Sequence, residues 1–435
     1  MSRGYRIGRR ALIALLAMAC VAASASGTSA RGYKFRVLYS FCTQANCADG
    51  SEPLASLVMD QAGNLYGTTA AGGSQNDGTV FELTPGATKK WRYKTLYTFC
   101  SQADCTDGTE PTSSLIIDTS GNLYGTASGG GQNDGGVVFR LHPKAKGGTY
   151  DVLHAFCAGG APCQDGFTPK SGLTYAGASS GTPYDGTSPL FGVTTFGGAS
   201  ADTPGWGVLY RLVPHGANFA EKTLYSFCSK RNCKDGGNPW AAPLSDAQGH
   251  LFGTLTTGGN NTAHEGGIFE WDTTQETMIY SFCNQQHCAD GYSSVAPLIF
   301  DASHNLFGTA LDGGANNHGV LFFFFDGAES VLYNFCSVTD SGVCIDGEEP
   351  LAGLVLDASG NLFGTTSGGG TQFGGVVFRY NDGETVLHNF CSQPNCADGN
   401  GPAAGLIMDA AGNLYGTTQA GGAAGGGTVF ELSPN

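Results

Sequence analysis

Charged residues make up only 13% of this 435-residue sequence, about half the fraction usual in globular domains. A coiled coil or a solvated polyelectrolyte is thereby excluded. Beyond residue 23 no apolar run approaches the ~20 residues a membrane helix needs; Val320 to Phe325 is the length of a strand. The 3.6-residue period of an amphipathic helix is missing from the whole mature chain. Several reactive constellations are missing too: no paired Cys-x-x-Cys knuckle, no G-x-S-x-G elbow, no metalloprotease helix, no Ser-His-Asp order. Basic groups are scarce, 21 Lys and Arg against 36 Asp and Glu, for a net charge of −15. Residues 1–30 hold four of those Arg and no acid, which leaves 17 bases against 36 acids, or −19. Such a field repels nucleic acid and anionic membranes.

What is abundant is glycine, 69 residues without a three-residue period, and enough hydrophobic side chain (41%) for a core. Together they predict a turn-dense, all-β protein rather than collagen or a disordered chain. The first 30 residues read as an export signal. Arg3, Arg6, Arg9 and Arg10 form a basic start, Ala11 to Ala23 an uncharged apolar stretch, and Ala23-Ser24-Ala25 and Thr28-Ser29-Ala30 suit a signal peptidase. Cys20 has Ala17 where a lipoprotein signal carries a bulky residue, so lipid attachment is not expected.

The other 14 cysteines fall in seven close pairs. These are Cys42 and Cys47, Cys100 and Cys105, Cys157 and Cys163, Cys228 and Cys233, Cys283 and Cys288, Cys336 and Cys344, and Cys391 and Cys396. An even, paired count in an exported chain predicts disulfides. Each pair sits in one copy of a unit. VLYSFCTQANCADG from Val37 returns as TLYTFCSQADCTDG from Thr95, VLHAFCAGGAPCQDG from Val152 and TLYSFCSKRNCKDG from Thr223. It recurs as MIYSFCNQQHCADG from Met278, VLYNFCSVTDSGVCIDG from Val331 and VLHNFCSQPNCADG from Val386. Each copy continues with a short apolar run, a GNLYGTT-like phrase, a Gly-Gly segment and a GTVFEL-like phrase. Four strand signals per unit, seven times over, predict a seven-bladed β-propeller with four-stranded blades, residues 31–435 forming one domain. With the run before Asp-x-x-Gly-Asn innermost, the VLYSF strand is outermost. Val37 to Phe41 then completes the blade of residues 400–432 and closes the ring without an open edge.

The phrases GNLYGTT, GG…GTVFEL and VLYSFC…C-x-D-G resemble the GloVer tandem repeats of exported bacterial "choice-of-anchor" proteins, over essentially all of residues 36–433. The resemblance implies a secreted, propeller-like protein of unassigned activity. No C-terminal anchor is expected after the last repeat, so free secretion, surface display or a periplasmic location all fit an exported chain. The Asp-x-x-Gly-Asn-Leu-Tyr phrase is also similar to strands of NHL and SMP-30-type propellers.

On this fold the cysteine loops and the Gly-Gly loops share one face. Each cysteine loop ends in Cys-x-Asp-Gly, so Asp49, Asp107, Asp165, Asp235, Asp290, Asp346 and Asp398 are candidates to ring the channel mouth and hold a cation or sugar hydroxyls. The structural alternative is that each Asp bonds its own backbone while Gly supplies a positive φ. Asp60, Asp118, Asp246, Asp301, Asp357 and Asp409 are expected to hold Gly-Asn turns. Tyr66, Tyr124, Phe191, Phe252, Phe307, Phe363 and Tyr415 are expected between blades. Because a site must break the sevenfold symmetry, unrepeated aromatics on that face are further candidates: Tyr184 in the insertion Ala176 to Ser188, Trp206, and Trp240 after Asn238-Pro239. His154 and His388 replace Tyr at an outer-strand position and are expected to be surface substitutions.

These features predict a monomeric, non-catalytic extracellular binding protein, with carbohydrate or matrix polymer as the favoured partner class and another extracellular protein as a further one. No cofactor or metal is expected. The rival is a propeller lyase or hydrolase acting on polysaccharide or a small cyclic compound, which would need unequal acids in a central pocket.

Overall fold

A computed structural model describes residues 32–435 apart from 88–89, 144–147, 200–204 and 217. The leader expected over residues 1–30 lies outside the described residues. Short β-runs separated by Gly-rich turns fold as seven antiparallel blade sheets, with a two-stranded hairpin, Thr339–Asp340 and Val343–Cys344, besides. The first blade is typical: Val58–Met59, Leu65–Thr69, Thr79–Pro85 and Trp91–Thr98 pair in chain order from the channel outwards. In the last blade Ile407–Met408, Leu414–Thr418 and Thr428–Pro434 are completed by Tyr33–Ser40, whose register runs from Tyr33 opposite Pro434 to Ser40 opposite Thr428. The ring is closed by the expected strand. No α-helix is found among the described residues, and no helix is long and apolar enough to cross a membrane.

The core lies between blades, and its chemistry repeats. The Phe preceding each first cysteine is completely buried. It meets the third-strand aromatic of the next blade edge to face, with ring centroids 5.0–5.3 Å apart, from Phe41 on Phe81 round to Phe390 on Phe430. That third-strand ring also abuts the glycine of the GNLYGTT phrase. A Cβ on Gly67 would stand 2.7 Å from Phe81 Cζ, so a side chain there would displace the ring. The seven Tyr and Phe of the same phrase each join the apolar cluster of the following blade. Interblade packing was their expected role.

The threonine beside that glycine does more than suit a strand. Thr68, Thr126, Thr254, Thr309, Thr365 and Thr417 each donate through Oγ1 to a carbonyl on the inner segment of the next blade. Thr417 reaches Ala55 and so bolts blade seven to blade one. Val193 breaks the series, and Thr195 substitutes by donating to the Pro239 carbonyl.

One copy carries a mismatch. At the third-strand position where six blades have Phe, blade three has Tyr210, whose hydroxyl is fully buried and has no hydrogen-bond partner among the described residues. A buried hydroxyl without a partner costs about 1–3 kcal/mol. Tyr210→Phe should therefore raise stability by about 1 kcal/mol. A denaturant midpoint that falls would show that the hydroxyl is satisfied after all.

Candidate functional site

Within each unit the chain leaves the outermost strand, makes the disulfide loop, and turns at Cys-x-Asp-Gly. It then runs down into the central channel before the next blade begins. All seven disulfides join the expected partners. Cys42 is bonded to Cys47, Cys100 to Cys105, Cys157 to Cys163, and Cys228 to Cys233. Cys283 is bonded to Cys288, Cys336 to Cys344, and Cys391 to Cys396. In six loops the second cysteine turns the chain through a left-handed φ of +40 to +52°: Cys47, Cys105, Cys163, Cys233, Cys288 and Cys396. Cys344, in the longest loop, departs from this and ends a short hairpin strand, Val343–Cys344. None of the fourteen lines the channel mouth, so the bridges staple the loops and form no part of a ligand site there. The cysteine and Gly-Gly loops share a face as expected, because the second Gly of each pair donates its N–H to the carbonyl of the second cysteine at 2.8–3.0 Å, as Gly73 does to Cys47.

The repeated aspartates sit inside these loops. Asp49 accepts bonds from Tyr39 Oη (2.7 Å), Thr43 N (3.0 Å), Thr43 Oγ1 (2.8 Å) and Gln44 N (3.2 Å). Burial acts to raise its carboxyl pKa, but these donors outweigh it and hold the group below the ordinary value. Asp107 and Asp235 repeat the arrangement with Tyr97, Ser101 and Gln102, and with Tyr225, Ser229 and Lys230. Asp290, Asp346 and Asp398 also face their own turns. Six of the seven are at most 2% exposed. Asp165, in the longer third loop, is partly exposed and faces the Cys157 N–H and His154 Nε2. None of the seven is among the residues lining the channel mouth, because each carboxylate turns back on its own loop. His154 and His388 are not surface substitutions: their side chains are 19% and 12% exposed and stand 3.1 and 3.2 Å from Asp165 and Asp398, where other units place the Tyr hydroxyl.

The mouth is built by the next few residues. After Asp-Gly, one residue per unit is forced to a φ of +52 to +63°: Glu52, Glu110, Thr168, Asn238, Ser293, Glu349 and Gly401. In all but Ser293 the N–H of this residue donates to the preceding blade's Gly-Gly loop, as Glu110 does to Asp77 at 3.1 Å and Asn238 to Trp206 at 2.7 Å. Two positions on, the equivalent side chains of all seven units converge: Leu54, Thr112, Lys170, Trp240, Val295, Leu351 and Ala403. They open on a cavity of about 630 Å³ that Glu110, Ser128, Thr256, Ser293 and Leu311 also line. Below it a pocket of about 200 Å³ is pinched by Ser56, Ser114, Gly172, Ala242, Pro297, Gly353 and Gly405. A Cβ on Gly353 would lie 2.7 Å from Pro297 Cγ, so neighbouring inner segments approach as closely as glycine allows.

This ring is unequal where its scaffold is repeated. Lys170 and Trp240 stand together, with Nζ 4.1 Å from the indole centroid, and Trp240 is still 40% exposed. Segment Gly237–Pro239 pairs with the second strand of its blade, which fixes the base of Trp240. Thr112 Oγ1 has no partner among the described residues. Among the described residues Lys170 is the single base and Glu110 the single acid of the lining.

Of the other candidates, Trp206 lies against the segment that leads to Trp240, where a Cβ on Gly237 would touch its Cβ at 3.0 Å, but it is not among the residues lining the mouth. Nor is Tyr184. It lies between the first and second strands of blade three, on the opposite face, fully buried against Tyr124 and Tyr175 with its hydroxyl donating to the Ser188 carbonyl. The insertion that carries it packs back onto blades two and four, where Ser179 donates to the Ser245 carbonyl. The six turn aspartates behave as expected, Asp60 for example accepting from Ala62 N and Asn64 N. Lys170, Thr112 and Glu110 escaped the sequence reading. The signal for Thr112 and Lys170 was that the residue after x-Pro changes from unit to unit; Glu110 is the x itself, and Glu52 and Glu349 repeat it.

A family model described as the Gloeobacter/Verrucomicrobia repeat matches residues 26–189, 178–345 and 336–435. Nothing among curated proteins matches the chain. Similar solved structures include the β-propeller domain of the Trilobed protease from Pyrococcus furiosus, 9% identical, covering 88% of this chain and 95% of that one with a TM-score of 0.43. A putative 6-phosphogluconolactonase from Bacteroides uniformis is 14% identical over 77% of this chain and 84% of that one, TM-score 0.44. A putative oxidoreductase (glucose dehydrogenase) from Thermus thermophilus is 13% identical over 92% of this chain and 100% of that one, TM-score 0.38.

Proposed function

The chain belongs to the Gloeobacter/Verrucomicrobia repeat family, and on that footing we propose that it is an exported, non-catalytic binding protein whose ligand site is the unequal channel mouth, with carbohydrate as the ligand class. A propeller carrying seven disulfides fits an extracellular protein. The observation that carries the reading is the ring itself. Seven equivalent positions hold six different side chains on a scaffold that otherwise repeats, and one of them is an exposed Trp. A saccharide offers an apolar C–H face and a rim of hydroxyls. Trp240, Leu54, Val295 and Leu351 supply the apolar contact, while Thr112, Glu110, Ser128, Thr256 and Ser293 supply donors and acceptors. A cavity of about 630 Å³ is in the range of small-molecule sites.

The test is a panel of soluble oligosaccharides measured by isothermal titration against the wild-type protein and Trp240→Ala. Loss of an aromatic anchor should weaken binding about 10- to 100-fold. A panel that yields no heat at millimolar sugar, or hits indifferent to Trp240, removes carbohydrate from the mouth. Turnover of a bound oligosaccharide would assign the mouth to the rival lyase or hydrolase.

A further inference from the structure

A second departure from the sevenfold pattern lies on the opposite face, in the groove between blades four and five, and it is independent of the channel mouth. Two substitutions line it and a third lies behind them. The third-strand position that pairs with the GNLYGTT aromatic holds Glu82, Arg140, Arg211, Glu270, Arg379 or Glu431 in six blades, but Phe323 in blade five. Two residues on, where five other blades have a polar side chain and blade three has Val213, blade five has Phe325, 58% exposed. At the turn before the second strand, Gly63, Gly121, Gly249, Gly360 and Gly412 adopt φ near +80°, whereas blade five places His304 there at +62°. A histidine held in a left-handed conformation that glycine fills elsewhere is strained without evident structural need.

Phe325 and His304 line one cavity of about 660 Å³, while Phe323 stands behind Phe325 and is not part of the lining. Phe252 from blade four and Phe300, Phe324 and Phe325 from blade five supply its aromatic walls, with His304 at the edge. Phe252 and Phe300 meet edge to face at 5.5 Å, Phe300 and His304 lie 5.6 Å apart, and Phe323 backs Phe325 at 6.5 Å. The matching groove between blades one and two, about 460 Å³, is lined by Met59, Tyr66, Ile117 and Pro183 and has no phenylalanine. Three carboxylates, Asp246, Glu270 and Asp326, border the aromatic cavity, and no Lys or Arg among the described residues lines it. His250 Nδ1 stands 3.2 Å from Asp246 and 3.4 Å from Glu270; Asp326 is exposed.

Aromatic faces carry negative potential, and carboxylates beside them add to it, so such a cavity favours a cation that sheds water easily. A metal ion or a primary ammonium is too strongly hydrated to prefer phenylalanine. We propose that this groove binds an organic ammonium ion, a quaternary or N-alkylated amine head group. The partner is then a small molecule or a modified polymer bearing that group.

The probe is choline, with 3,3-dimethylbutan-1-ol as its neutral isostere, followed by amide chemical shifts of the oxidised protein. Choline should bind in the millimolar range and move amides of His304, Leu306 and Gly327, and the isostere should bind about tenfold more weakly. Phe325→Ala, at an exposed position that folding does not need, should weaken choline about fivefold, and Glu270→Gln by a smaller factor. Equal binding of choline and its isostere, shifts confined to another surface, or indifference to Phe325→Ala would each overturn the proposal. Choline does not report on the channel mouth, so failure here leaves the carbohydrate reading untouched, and the converse holds.

Discussion

Deleting residues 33–41 should abolish the cooperative fold. The lost strand supplies the fourth member of blade seven, paired from Tyr33 opposite Pro434 to Ser40 opposite Thr428. It also supplies Phe41, fully buried between Phe81 and Tyr93 of blade one. Truncating a buried Phe alone costs about 3–5 kcal/mol, a large part of the roughly 5–15 kcal/mol that holds a typical protein folded. The deletion further leaves a bare strand edge in a ring whose other six blades are complete, and an unpaired edge invites aggregation. The expected result is loss of the near-ultraviolet circular dichroism signal and of a sharp melting transition. Part of both should return when a peptide of residues 32–43 is added. A truncated protein melting within a few degrees of the full chain would mean that the ring does not depend on this closure.

Stability should fall as pH rises from about 5 to about 8, opposite to the trend of a protein governed by ordinary carboxylates. The cause is at the outer blade junctions. There the Tyr or His that faces each repeated Asp abuts a residue of the next blade. Three junctions stack rings, Tyr39 on Tyr93 at 4.3 Å, Tyr97 on Tyr150 at 4.1 Å and His388 on Phe35 at 3.7 Å. The other four place a glutamate there: Glu221, Glu276, Glu329 and Glu384. Lys230 reaches Glu276 at 2.8 Å. Glu329 and Glu384 have no such cation among the described residues. Burial first, and then the Asp290 and Asp346 carboxylates, push both pKa values up to about 8. Each also has an Oε1 without a hydrogen-bond partner among the described residues.

A carboxyl raised above its unfolded value holds its proton in the native state through the intervening pH range. Its contribution is therefore complete below the unfolded pKa and is lost as pH rises through the folded one. Discounted for the solvent that reaches both side chains, the loss is about 1–2 kcal/mol apiece. Calorimetry should show the melting temperature dropping across this window. Glu329→Gln with Glu384→Gln should flatten the profile, with gain at pH 9 and little change at pH 5. Asp49 works in the opposite sense, with stability present above its unfolded pKa and lost below about pH 4. A melting temperature that is flat or rising from pH 5 to 8 would contradict the buried pair.

The ring was legible in the sequence because each unit writes the same four strands, and seven copies make chance agreement implausible. The closing strand was legible as well, since the repeat begins with an outer strand and ends with a third one. The disulfides were legible for a related reason: partners such as Cys228 and Cys233 sit a few residues apart in every copy, so pairing needed no knowledge of the fold. The mouth was not. Leu54, Thr112, Lys170 and Trp240 follow one another at intervals of 58, 58 and 70 residues and become neighbours only when the ring closes. Periodicity reveals what repeats, whereas this site consists of what does not. The aspartate ring misled for the same reason: sevenfold recurrence marks the device that builds each loop. Tyr184 misled because an insertion's composition does not say which face it leaves or whether it packs. His154 and His388 read as surface changes because the sequence does not show that Asp165 and Asp398 lie opposite them.

The central claim is that binding resides in the unequal mouth residues and loop structure in the repeated aspartates. A paired comparison tests it most directly. Trp240→Ala and Asp49→Asn are measured for melting temperature and, well below both melting points, for affinity toward the best oligosaccharide of the panel. Trp240→Ala should lose binding while melting within about 2 °C of wild type, since its side chain is exposed and a surface change usually costs under about 0.5 kcal/mol. Asp49→Asn should keep the wild-type affinity and melt several degrees lower, because a buried acceptor of four hydrogen bonds has been weakened. The reverse pattern, with binding lost in Asp49→Asn at unchanged stability and kept in Trp240→Ala, would contradict the claim and return the site to the aspartates.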